Sequence, residues 1–138
     1  MLHNIPPILS PDLLWTLRAM GHGDEIVIAD ANFPAEGLGP KTIRLDGNSA
    51  TDTLAAVVQL LPLDIYVPTP AHTMKVVDAP DTVPEIVTAF QTLLPDHKIG
   101  SIERFSFYER AAKAFAIVQT GETRLYGNII LTKGVIGS

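Results

Sequence analysis

His22 lies between two glycines in Met20-Gly21-His22-Gly23-Asp24-Glu25, and the apolar run Ile26-Val27-Ile28-Ala29 that follows ends at Asp30. An imidazole with an ordinary pKa of about 6.5 exchanges protons in either direction near neutrality, and a carboxylate accepts hydrogen bonds from a ligand or orients the imidazole. A short strand between the two would hold both in fixed relation at the rim of a sheet. Each residue also has a plainer reading. A helix C-terminus favours a cationic or hydrogen-bonding residue, with glycines as cap and turn, and an aspartate after a strand commonly closes an Asx turn. In favour of a site, the flanking glycines open His22 to a ligand, and Asp30 marks the strand end where α/β sheets bind ligands. Asp24 and Glu25 read as solvated turn residues rather than a carboxylate pair.

Two later stretches carry ligand-binding groups. In Glu103-Arg104-Phe105-Ser106-Phe107-Tyr108-Glu109-Arg110, Arg104 stands where a connection meets a helix and can present its planar fork of donors to ligand hydroxyls. The competing reading is an amphipathic helix entry, with Glu109 and Arg110 as charges in solvent. Tyr126-Gly127-Asn128 joins a phenol, a glycine that permits close approach, and an amide that both donates and accepts; the alternative is a hairpin turn with a packed tyrosine. His3, His72 and His97 are isolated, without HxH or HxxxH spacing, so no metal site is expected. Gly21-x-Gly23 follows a helix, and Ile26 occupies the place of a dinucleotide loop's third glycine, so no cofactor is expected. Walker A, Gly-x-Ser-x-Gly and cysteine-nucleophile patterns are absent.

The elements that must position these residues follow from caps and periodicity. Ser10, Pro11 and Asp12 open a first helix as N-cap, first-turn proline and acid, with Leu13, Leu14, Leu17 and Met20 at helical spacing and Gly21 as stop. Residues 25–29 form a buried strand, 32–40 a Gly/Pro-rich loop and 42–45 a short strand. Asn48 or Ser49 caps a second helix whose inner face is Leu54, Val57, Val58 and Leu61. Residues 63–67 and 74–77 read as strands, 81–94 as a helix with Pro84 in its first turn, 106–113 as a short helix, 114–119 as a strand and 126–132 as the last strand. Alternating strands and helices predict one α/β domain with a mixed or mostly parallel sheet covered by helices.

With 138 residues the chain fits one compact domain, without internal repeat or linker. It has no cysteine, so disulfides and thiolate sites are excluded and a reducing cytosol is the simplest compartment. Prolines at 6 and 7 interrupt the start before any signal-peptide run, and residues 54–67 are broken by Gln59, Pro62 and Asp64, so neither secretion nor a membrane span is expected. Net charge is −5 with Lys and Arg scattered, which disfavours nucleic-acid partners. Charged residues make up 18% and apolar ones 46%, against a usual charged share of roughly 25%. So small a chain has a large surface to solvate, so part of that surface should pack against other copies in a homo-oligomer.

The motifs around His22, the stretch Ala29-Asp30-Ala31-Asn32-Phe33-Pro34, the run from Arg104 to Arg110, and Tyr126-Gly127-Asn128-Ile129-Ile130-Leu131 occur in one order over nearly the whole chain. In this the chain resembles the L-fucose mutarotase family, close relatives of the D-ribose pyranases. The resemblance implies a ribose pyranase/fucose mutarotase-like fold, an enzyme that interconverts sugar anomers without a cofactor, and a ring-shaped homo-oligomer, commonly a decamer, with sites near subunit contacts. It matches His22 to the family's catalytic histidine, and Asp30, Arg104, Tyr126, Gly127 and Asn128 to sugar-contacting positions. Arginine at 104 rather than histidine looks like the fucose branch. Residues 68–98 match no named motif.

Interconverting sugar anomers needs a proton removed from the anomeric hydroxyl and one delivered to the ring oxygen, so that the hemiacetal opens and recloses on its other face. Positioned transfer of this kind is worth roughly 10²–10⁴ in rate. His22 would be the principal proton donor and acceptor, with Tyr126 as a second relay or a hydroxyl anchor. Asp30 would orient the sugar or His22, and Arg104 and Asn128 would fix the hydroxyl pattern. A ribose pyranase, a sugar-binding ring without turnover and a structural oligomer are the competing functions.

Overall fold

The computed structural model describes residues 1–137. It orders eleven elements along the chain: α1 (Pro11–Ala19), β1 (Glu25–Ala29), α2 (Ala35–Leu38), β2 (Lys41–Leu45), α3 (Ala50–Val57), β3 (Ala71–Met74), α4 (Glu85–Leu93), β4 (Ile99–Ile102), α5 (Arg104–Ala112), β5 (Ala116–Thr120) and β6 (Ile129–Thr132). Helices α1, α3 and α5 begin where a side chain caps them. Ser10 Oγ accepts from the Leu13 N–H at 3.2 Å, Ser49 Oγ from Asp52 at 3.0 Å, and the Glu103 carboxylate from Phe105 and Ser106 at 2.8 and 3.0 Å. The last cap starts α5 at Arg104, two residues before the expected 106.

The six strands form one mixed sheet in the order β2-β5-β1-β6-β3-β4. β5 runs parallel to both β2 and β1, and β3 parallel to β4, while β6 lies antiparallel between β1 and β3. Helices cover both faces. Ile26, Ile28, Val118, Ile129 and Leu131 pack with α1, α3 and α4, and Val27, Ala29, Ile117 and Ile130 with α2 and α5. Burial on both sides explains why β1 and β5 read as continuous rather than alternating apolar runs. Each large side chain fully buried here contributes on the order of 1.5–3 kcal/mol.

Four expectations need correction. Residues 63–67 are not a strand: only Leu63 bridges Lys133, and Ile65 and Tyr66 are 75% and 71% exposed. Prolines at 62 and 68 remove ladder donors, and the Asp64 carboxylate accepts the Tyr66 N–H at 3.1 Å, folding the run into an Asx turn. The neighbouring strand occupies 71–74 rather than 74–77. The third helix starts after Pro84, whose ψ of 148° is extended; proline also biases Val83 away from helical backbone, so 81–83 cannot join. The last strand begins at Ile129 because Tyr126 has a positive φ of 62°. β4 was not anticipated, and the 32–40 loop contains the one-turn helix α2, which Gly39 closes at φ 102°.

Candidate active site

Asp30 leaves the C-terminal end of β1 and is 5% exposed. Its Oδ1 accepts the Asn32 N–H at 3.0 Å, and its Oδ2 accepts the Gly127 N–H and the Asn128 side-chain amide, both at 3.2 Å. Asn128 returns the interaction, its Oδ1 accepting the Asp30 N–H at 2.8 Å. This reciprocal pair fixes the amide's orientation and holds β1 to the entry of β6. Beneath it, Gln119 Nε2 donates to the Asp30 carbonyl and Thr120 Oγ1 to the Ala29 carbonyl at 2.7 Å. Burial pushes the Asp30 carboxyl above its ordinary value, against the lowering effect of the Asn32, Gly127 and Asn128 hydrogen bonds.

A cleft of about 250 Å³ opens over this carboxylate. Asp30, Asn32, Arg104, Tyr126 and Asn128 supply polar groups to it, and Phe33, Met74, Val77 and Leu125 apolar walls. Pockets for drug-sized ligands run to roughly 300–1,000 Å³, so a smaller, polar molecule fits this one. The positive φ of Tyr126 aims its ring into the cleft, where Oη accepts the Val77 N–H at 3.1 Å. The phenol proton is thereby left for another acceptor. Arg104 opens α5, with its guanidinium carbon 4.6 Å from the Phe105 ring centroid. Its Nε is buried and meets no acceptor among the described residues. Such a donor is what a ligand oxygen would satisfy.

His22 lies elsewhere. It follows α1 at the N-terminal end of β1, where Nε2 is 3.1 Å from Asp64 Oδ1 and the ring centroid 5.7 Å from that of Tyr66. β1 has five residues, and at a rise of roughly 3.3 Å per residue it sets its two ends on the order of 13 Å apart. Within one chain, then, Asp30, Arg104, Tyr126 and Asn128 share a cleft, with Gly127 beneath it, and His22 does not join them. The His22 side chain is 45% exposed. The Tyr66 N–H, and after it the His22 hydrogen bond, hold the Asp64 carboxyl below its ordinary value. Asp64 is therefore a partner for His22 that its place in a supposed strand concealed.

Glu25 and Arg110 depart from the solvent roles expected of them. The Glu25 side chain, 23% exposed, points to the α5 face, pairs with Arg110 and accepts the Thr132 hydroxyl at 3.0 Å. Glu122 was missed altogether: it is 4% exposed and joined by two hydrogen bonds to the Arg124 guanidinium. Its only sequence signal is the Glu-x-Arg spacing in a turn. Among the described residues no group of three or more His, Cys, Asp or Glu could hold a metal ion, and no helix is long and apolar enough to cross a membrane.

Residues 3–136 match the model of the RbsD / FucU transport protein family. The fucose mutarotase of Bos taurus is 49% identical over 146 residues, covering 99% of this chain and 95% of the bovine protein. Among solved structures, the fucose mutarotase of Streptococcus pneumoniae in complex with L-fucose superposes with a TM-score of 0.92 at 47% identity, over 99% of this chain and all of that one. Bacillus subtilis RbsD complexed with D-ribose gives 0.77 at 26% identity, over 94% of this chain and 95% of its own. Family model, full-length relative and superposed fold agree, and the chain belongs to the RbsD / FucU family.

Proposed function

We propose that this chain is a mutarotase that interconverts the α and β anomers of L-fucose without a cofactor. One observation carries the reading: Asp30, Arg104, Tyr126 and Asn128, drawn from three separate stretches of sequence, converge on one small cleft in which Arg104 keeps a buried donor unmatched. Those groups suit a ring of hydroxyls. Arg104 and Asn128 fix the hydroxyl pattern, and a sugar lacking the right hydroxyl would leave them unpaired, which penalises it. Asp30 accepts a sugar hydroxyl. Tyr126, its Oη already accepting from Val77, donates its proton to a sugar oxygen. The stronger likeness to a fucose-bound relative than to a ribose-bound one favours fucose.

Ring opening also needs a group that takes and returns a proton, and His22 supplies it from a neighbouring copy. Apolar side chains lie exposed at both ends of β1: Ile65 and Tyr66 near His22, and Leu125, Phe105 and Val77 at the cleft rim. Contact between these unlike surfaces is head-to-tail, and such contacts close into rings when the rotation allows. The family resemblance makes that ring a decamer, a count that sedimentation would check. The protein acts in the cytoplasm, with a monosaccharide as its ligand.

Saturation-transfer NMR of equilibrating L-fucose tests the function. The protein should accelerate anomer exchange, and His22→Ala should slow it by roughly 10²-fold or more. Unchanged exchange in His22→Ala removes the histidine from the mechanism. Faster exchange with D-ribose than with L-fucose would make the chain a pyranase, and sugar binding without faster exchange a non-catalytic ring.

A further inference from the structure

The connection between β5 and β6 delivers Tyr126, Gly127 and Asn128 to the cleft, and Glu122 anchors it from below. Its Oε1 accepts from the Ala50 N–H at 3.3 Å, at the start of α3, and from Arg124 Nη2 at 2.8 Å. Its Oε2 accepts from Arg124 Nε and from the Arg124 N–H, both at 3.1 Å. Arg124 Nη2 reaches on to Thr51 Oγ1 at 3.0 Å, so α3 holds both members of the pair. The Glu122 carbonyl accepts the Ala31 N–H at 2.9 Å, directly beside Asp30. A Cβ on Gly127 would lie 2.9 Å from Glu122 Cγ, so the Glu122 stem sits against the residue whose N–H reaches Asp30.

Stability alone does not call for this arrangement. The Glu122 side chain is 4% exposed and that of Arg124 36%, so the carboxylate alone is taken out of water, and that step is costly. What an apolar pair would lack is direction: the bonds from Glu122 and Arg124 tie the loop to α3 at defined points.

We propose that Glu122, with Arg124, is a positioning residue: it holds Gly127 and Asn128 against Asp30, and through them sets the hydroxyl-binding geometry of the cleft. Neither residue of the pair lines the cleft among the described residues. The proposal rests on the reading of that cleft as a sugar site.

The test uses the full-length assembly carrying Glu122→Leu together with Arg124→Met, and separately Thr51→Val, which removes only the outer tether. The apolar pair leaves the Ala50 and Arg124 N–H groups without their acceptor, so it should lower the melting temperature, and at a temperature where it stays folded it should lower the saturating rate of L-fucose anomer exchange about tenfold. Thr51→Val should lower it about threefold. Hydrogen exchange followed by mass spectrometry should quicken in peptides spanning 126–128 and stay constant in β1. An apolar pair that turns over L-fucose at the parental rate overturns the proposal. So does unchanged exchange at 126–128 in both variants, a readout that decides the matter even if the parent protein fails to speed anomer exchange. If the double variant does not fold, Thr51→Val decides by the same two measurements.

Discussion

Tyr126 and Arg104 show how much depends on individual donors. The Tyr126 oxygen is occupied by the Val77 N–H, so the hydroxyl acts toward the cleft as a donor. Tyr126→Phe should therefore lower L-fucose exchange by roughly 10²-fold in kcat if the phenol relays a proton, and raise KM instead if it only anchors a hydroxyl. Arg104→Lys keeps the charge and loses the planar fork, so KM should rise about tenfold with kcat little changed. Asp30 yields a pH prediction of definite sign. Burial raises its folded value above the ordinary 3.8, so its contribution to stability is complete below 3.8 and is lost as pH rises through the folded value. Melting temperatures of Asp30→Asn measured across that window should lack this decline.

At the scale of elements, how well the sequence could be read follows from how each element is stabilised. β1 and α1 were legible because one is buried on both faces and the other carries a serine cap, both local signals. β4 was not, because Ile99-Gly100-Ser101-Ile102 has little β pattern. Its glycine answers to a tertiary contact: a Cβ there would lie 2.9 Å from Thr69 and 3.0 Å from His72. The convergence of Asp30, Arg104, Tyr126 and Asn128 was likewise invisible to periodicity and came only from the ordered motifs of a family. The β5–β6 connection allows two checks. Gly127→Ala would place a methyl 2.8 Å from Ile86 and 2.9 Å from Glu122, and overpacking of this kind costs about 1–3 kcal/mol, read as a lower denaturation midpoint. The side-chain bond from Arg124, followed by the backbone donors, holds the Glu122 carboxyl below its ordinary 4.5, with Glu85 and Asp52 beyond Arg124. Its stabilising contribution is thus present above 4.5 and lost as pH falls through the folded value. In Glu122→Gln, loss of stability on acidification should be shallower than in the parent.

The whole molecule explains why a single chain looks unfinished. A five-residue strand keeps His22 and the Asp30 cleft at opposite ends, and no rearrangement of side chains joins them. The head-to-tail ring proposed above would do so at every interface, and it would also account for the low charge content and the exposed apolar residues at both ends. Complementation measures this directly. His22→Ala retains the cleft and Asp30→Asn retains the imidazole, so rings assembled from an equal mixture should recover roughly a quarter of the parental L-fucose exchange, carried by interfaces that pair an intact cleft with an intact His22. A mixed assembly as inactive as either variant alone would contradict the shared site.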